Sequence, residues 1–161
     1  METIIVPGKP TSIIVQTRVG NPIPNSQIHE FSSYETNLFP IYERDFPKAT
    51  FREPPNPIYN CHGLSFASKR TGIDKNYALR TILCDDGYKE VEKEKVLPGD
   101  IALYYTEDGD IEHSGIVISE PDKHLKIPQV LSKWGSYKEA IHPANYCPYE
   151  TRFIRYRRVV K

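Results

Sequence analysis

The sequence predicts an α+β domain in which a helical segment precedes an antiparallel sheet. Three observations lead there. At 161 residues the chain fits a single core. A short apolar segment with helix-end signals opens at Asn60. Behind it comes a run of β-branched and aromatic stretches joined by hairpin chemistry, the order that marks α+β with an antiparallel sheet.

In chain order, residues 1–57 read as a proline-punctuated arm that wraps the core. Residues 3–6 and 12–16 are short β-branched runs on either side of Pro7-Gly8-Lys9-Pro10, suited to a small hairpin or two edge strands. From Gly20 onward, prolines stand at 22, 24, 40, 47, 54, 55 and 57, and no helical period is expected. The core is assigned to residues 58–161. Its helix covers residues 60–70, with Asn60 as cap and Gly72 as stop, which places Cys61 in the first turn. Residues 74–83 suit a second short helix, and residues 84–88 a turn. Val96-Leu97-Pro98-Gly99-Asp100 leads into a strand at 101–105. Thr106-Glu107-Asp108-Gly109-Asp110 then turns the chain back through a strand at 113–119. Residues 129–134 and 152–160 give a third and a fourth strand.

Composition removes several function classes. Lys plus Arg and Asp plus Glu both number 21, so the formal charge is zero, which argues against a nucleic-acid partner held by phosphate contacts. Charged residues at 26% and hydrophobic residues at 39% are a globular balance. No run of 18 apolar residues occurs, and the first ten residues lack a basic region followed by an apolar stretch. The expectation is a soluble protein, cytoplasmic as synthesised, with no membrane partner; export by a non-classical or effector route stays open. In a reducing compartment Cys61, Cys84 and Cys147 are expected as free thiols.

A nucleophilic thiol needs a lowered pKa, and the two simplest sources are a helix N-terminus and a neighbouring imidazole. Cys61 has the first by position. His113, in Glu112-His113-Ser114-Gly115, can supply the second, with small Ser114 and Gly115 leaving room beside it. Cys84 and Cys147 read as small buried hydrophobes.

Four blocks in order resemble the NlpC/P60-type papain-like cysteine peptidases. Asn-Cys-His-Gly-Leu-Ser-Phe-Ala at 60–67 is similar to their Asp/Asn-Cys-Ser-Gly-Leu-Val motif. Leu-Pro-Gly-Asp-Ile-Ala-Leu-Tyr at 97–104, His-Ser-Gly-Ile-Val-Ile at 113–118 and Tyr-Arg-Arg-Val at 156–159 resemble three of their strands. The resemblance implies a papain-like core with Cys61 as nucleophile and His113 as base. It also implies a third polar residue on the next strand to orient the imidazole, either Ser132 or, through the loop after Trp134-Gly135, His142. It implies an amide or isopeptide substrate in a peptide, a peptidoglycan fragment or a protein. The same fold can serve an acyltransferase, a transglutaminase-like enzyme or a protein deamidase, and a non-catalytic binding module is the third possibility.

Tyr59, Asn60, His62, Ser114 and Trp134 are expected around the substrate. His62 departs from the family's Ser and points about 100° from Cys61, toward solvent or substrate. Trp134 reads equally as a cleft wall or a packed aromatic. The arm, residues 1–57, reads as a lid over the cleft. No Cys-x-x-Cys or His-x-x-x-His spacing and no Gly-rich phosphate loop occurs, so no cofactor or metal is expected. The basic end (Arg152, Arg155, Arg157, Arg158, Lys161) suits the alternation of a final edge strand, with an anionic partner as the alternative.

Overall fold

The computed structural model describes residues 8–160, so the expected run at residues 3–6 lies outside the described residues. Three α-helices and seven strands follow among the described residues: α1 (Ser33–Asp45), β1 (Thr50–Arg52), α2 (Cys61–Phe66), α3 (Asn76–Asp85), β2 (Tyr88–Val91), β3 (Ile101–Tyr105), β4 (Ile111–Val117), β5 (Gln129–Lys133), β6 (Glu139–Pro143) and β7 (Ile154–Val159). The strands form one sheet in the order β1-β6-β5-β4-β3-β7-β2, with every neighbouring pair antiparallel. The chain is α+β, as the order of its segments predicts.

Strand β3 shows how the sheet is covered on both faces. Successive side chains alternate between faces. Ile101 and Leu103 join Ala78, Leu79, Ile82 and Leu83 of α3 in one core. Ala102 and Tyr104 join Val117, Val130 and Trp134 in the other. The second core is closed by aromatic rings from the arm. Tyr42 of α1, Phe46 at its C-terminal cap and Phe51 of β1 meet Trp134 edge-on, with ring centroids 5.6, 5.2 and 5.1 Å away, a favoured aromatic geometry.

Helix α1 corrects the expectation of an arm without helix. Ser32 and Glu35 form a capping box that starts it, and Pro40 is carried inside it. An interior proline costs a backbone hydrogen bond; docking Tyr42 and Phe46 on the Trp134 core offsets that cost. The arm also completes the sheet, because β1 pairs with β6 at its edge. Residues 12–16 form no strand. The bridges Thr11↔Gln27 and Gln16↔Pro22 fold this stretch into an open loop, and Ser26↔Gly72 ties it to the segment behind α2.

Other boundaries move for identifiable reasons. Helix α2 stops at Phe66, well before Gly72, because Ser68 and Lys69 take positive φ (52° and 65°). Helix α3 runs on to Asp85 and leaves Cys84 exposed, so that thiol is no buried hydrophobe; Cys147 is buried. Tyr88, expected in a turn, opens β2. Strand β6 stands where a loop was expected, paired with β5 from Lys133↔Glu139 to Gln129↔Pro143. Strand β7 is interior, between β3 and β2, and its arginines serve the sheet. Arg158 grips the buried Asp100 at 2.7 and 2.8 Å, and Arg155 lies 3.6 Å from Glu90.

Two glycines set the docking of the site elements. A Cβ on Gly63 would fall 1.9 Å from the Thr71 carbonyl oxygen, and one on Gly115 would fall 2.4 Å from Val130 Cγ1. The first lets α2 lie against the following loop; the second lets β5 close on β4. Among the described residues, no helix is long and apolar enough to cross a membrane.

Candidate active site

The site is built outward from Asn60. Its Oδ1 accepts from the N–H of Gly63 at 2.9 Å, capping α2, and from the N–H of Ile73 at 3.1 Å. Its Nδ2 donates to the Ile73 carbonyl at 2.9 Å and to the Asp74 carboxylate at 3.0 Å. One side chain thereby fixes where α2 begins and joins it to the start of the α3 segment. Cys61 is the first helical residue, as the sequence predicts, and only 7% exposed.

Cys61 opens on a cleft of about 390 Å³. Tyr59, Asn60 and His62 line it beside the thiol, the arm contributes Ser26, Ile28, Glu35 and Pro57, and Gly135, Ser136 and Tyr149 face them. The arm is therefore a wall of the cleft. Ser114 sits behind α2, where its Oγ lies 2.8 Å from His62 Nδ1, 2.9 Å from Ser65 Oγ and 3.4 Å from the Cys61 carbonyl. His62 is buried, not exposed to solvent, yet it reaches the cleft. Trp134 is fully buried in the aromatic core and forms no cleft wall.

Burial dominates the electrostatics. It pushes the Cys61 thiol up to about 12, against the pull of the Ser114 and His62 backbone N–H groups. The low-pKa thiol expected from helix position is thus reversed: a six-residue helix offers less than desolvation takes. Burial also pulls His62 and His142 down to about 4. It holds His113 well below the ordinary range, with His142 and His62 adding to the effect. At pH 7 the site holds a thiol and neutral imidazoles.

His113 is the third residue of β4, fully buried, and neither ring nitrogen has a hydrogen-bond partner among the described residues. Its ring stacks on Tyr149 (centroids 3.7 Å, planes 8° apart) and meets Tyr104 edge-on at 5.0 Å. Neither residue expected to orient it does so by a hydrogen bond. Ser132 and His142 pair with each other instead, Oγ to Nε2 at 2.7 Å, and Trp134 Nε1 donates to Ser132 Oγ at 3.0 Å. His142 Nδ1 lies 2.7 Å from the Pro143 carbonyl, which can only accept. Nδ1 therefore carries the proton, and Nε2 accepts from the Ser132 hydroxyl.

Beneath the cleft lies a pair of charges that the sequence reading missed. Lys133, fully buried, donates to the carbonyls of Asn56, Gly135 and Tyr59 at 2.7, 2.8 and 3.2 Å, and its Nζ stands 4.7 Å from the centre of the Tyr59 ring. Its cross-strand neighbour Glu139, equally buried, accepts from Lys69 at 2.9 Å, the Tyr59 hydroxyl at 3.2 Å and Arg52 at 3.4 Å. Tyr59 is held at its carbonyl, ring and hydroxyl, two residues before the thiol. One signal was available: Lys133 stands in the segment read as the third strand, two residues after Leu131 and on the same face. Tyr149, whose ring covers His113, was likewise missed.

Comparison of the chain with models of protein families, with curated proteins and with solved structures found no match.

Proposed function

We propose that the chain is a papain-like, NlpC/P60-type thiol hydrolase that cleaves an amide or isopeptide bond through an acyl-Cys61 intermediate. The observation that carries this reading is the placement of Cys61: the first residue of a side-chain-capped helix, lining a cleft, against the strand that bears His113. Since thiol and imidazole are both neutral, the chemistry is general-base attack and not that of a preformed ion pair. His113 takes the thiol proton as Sγ adds to the carbonyl, and later returns it to the leaving amine. Water then releases the acyl group. Peptidoglycan stem peptides are the first substrates to try.

The test is acylation by an activated ester such as p-nitrophenyl acetate, located by peptide mass spectrometry. The expected result is an acyl group on Cys61 that turns over, with at least a hundred-fold loss in Cys61→Ser and His113→Ala. Acylation confined to the exposed Cys84, untouched by either substitution, overturns the reading. One observation favours a second reading, a binding module with an unused thiol. The His113 ring is covered by Tyr149 and makes no hydrogen bond among the described residues. On that reading Cys61→Ser retains every ligand the wild type binds, and no acyl-enzyme forms.

A further inference from the structure

The lining of the Cys61 cleft is one-sided in charge. Three carboxyl groups line it, each from a different part of the chain: Glu35 in the first turn of α1, Asp74 on the approach to α3 and Glu112 in β4. No lysine or arginine lines it, although the chain carries 21 basic and 21 acidic residues. The bias is therefore local. None of the three makes an ion pair among the described residues. Glu35 accepts from the Ser32 hydroxyl at 3.1 Å and Asp74 from the Asn60 amide at 3.0 Å, both neutral donors. The cations beneath the cleft are engaged, Lys133 by three carbonyls and Lys69 and Arg52 by Glu139. A second observation lies on the facing wall. Ser136 lines the cleft and is 6% exposed; its carbonyl accepts from the Asn56 N–H, but its Oγ has no hydrogen-bond partner among the described residues. A buried hydroxyl without a partner costs free energy, and an amide held in the cleft can supply one.

We propose that the cleft selects an amide substrate carrying a basic side chain, an ammonium or a guanidinium, beside the bond that Cys61 attacks. The inference rests on the thiol-hydrolase reading and names its substrate class. The three carboxylates supply the attraction, and Ser136 Oγ supplies a hydrogen bond to the substrate's own amide. A cleft lined by one sign of charge concentrates the field, so the three act together on a group that enters it. Asp74 and Glu112 are exposed, and their pull is screened by solvent and salt; Glu35 is half-buried and screened less. An acidic side chain meets the reverse. It is repelled on entry and finds no lysine or arginine in the lining to pair with.

The test is an NMR titration of the full chain with N-acetyl-lysine methylamide, its arginine analogue and its glutamate analogue, followed at the backbone amides of Gly72, Gly135 and Ser136. At low ionic strength the basic probes are expected to bind about five-fold more tightly than the acidic one, and the preference to shrink in high salt. Glu35→Gln keeps the capping box, which accepts Gln at that position, and Glu112→Gln removes an exposed carboxylate; each is expected to lower the ratio about two-fold. Ser136→Ala should weaken all three probes alike and leave the ratio unchanged, the signature of a hydrogen bond and not of charge. The p-nitrophenyl esters of the same three N-acetyl amino acids are then compared as acylating agents of Cys61. Where binding is too weak to titrate, the ratio of acylation rates decides alone. Equal ratios, or a preference that neither glutamate variant moves, overturn the inference and leave the hydrolase reading standing. Basic probes that bind preferentially while no ester acylates Cys61 overturn the hydrolase reading and keep the cleft as a site for cationic chains. Neither binding nor acylation by any probe overturns both.

Discussion

Two fully buried polar side chains stand on the central strands of one sheet and differ in every other respect. Lys133 on β5 has three hydrogen-bond acceptors for its three protons; His113 on β4 has no partner for either nitrogen among the described residues. A buried polar group costs free energy unless it is paired. Lys133 is arranged so that the cost is met, and the walls it grips become rigid. His113 is arranged so that the cost is borne. The imidazole stacks on Tyr149 and meets Tyr104 edge-on, on the strand packed against the helix that carries the thiol. The comparison separates a buried group whose hydrogen bonds hold the site together from one that makes none among the described residues.

Substituting each residue by an apolar one should break the comparison open. Lys133→Met leaves three carbonyls without a donor and removes the cation over the Tyr59 ring. A loss of about 3–5 kcal/mol is expected, as for breaking other buried charge arrangements. His113→Leu removes a group that was never satisfied, so stability should change by less than about 1 kcal/mol, or rise, while acylation of Cys61 is lost. Urea titrations of the two variants measure both values. Equal losses would mean that His113 has partners in solution that the static structure lacks, and the contrast would dissolve.

The difference also explains how much could be read from the chain. The start of α2, its Asn60 cap, the bounds of β3 and the core of β5 follow from local signals: a capping residue, a Pro-Gly-Asp turn, a β-branched run. What escaped was set by tertiary contact. Helix α1 carries a proline and buries no residue fully; its reason to exist is the core around Trp134, whose buried residues come from Val96 to Tyr156, far along the chain. Strand β6 reads Glu-Ala-Ile-His-Pro, which has no strand pattern until Glu139 and His142 are given buried partners. The site divides in the same way. The positions of Cys61 and His113 were legible as motif residues. The elevated thiol pKa was not, because burial of a helix's first turn depends on what packs over it, here the arm and Tyr149.

Acid titration sharpens the comparison further. His62 and His142 are held near 4 in the folded chain against an ordinary value near 6.5, and His113 is also held low. Between these values the unfolded chain binds protons that the folded chain does not, so stability must fall as pH drops from about 6.5 toward 4. Each fully depressed histidine contributes a slope of about 1.4 kcal/mol per pH unit in that window. Melting curves taken across it should show the loss, and His113→Leu should reduce the slope. Lys133 predicts no change there, since it stays charged throughout. A flat profile from pH 6.5 to 4.5 would show that the histidines are hydrated in solution.

The smallest effect concerns the two thiols and not the two buried groups. The Cys61 cleft is lined by Glu35, Asp74 and Glu112 with no lysine or arginine among its lining residues, whereas exposed Cys84 shares a groove with Arg80, Lys89 and Arg157 against one carboxylate, Glu90. Local charge steers small ions in proportion to its sign and is screened by salt over about 10 Å at 0.1 M. A cationic methanethiosulfonate (trimethylammonium) should therefore label Cys61 several-fold faster than the anionic sulfonate reagent at low salt, and Cys84 should show the reverse preference. Glu112→Gln, at an exposed carboxylate with no hydrogen-bond or ion-pair partner among the described residues, should lower the Cys61 ratio without touching that of Cys84. Because both thiols are read in the same molecule and the same tube, reagent reactivity and protein stability cancel. A ratio of the same sign at both sites, or one that survives 0.5 M salt, would assign the selectivity to the reagents and take the cleft's acidic lining out of the account of what it binds.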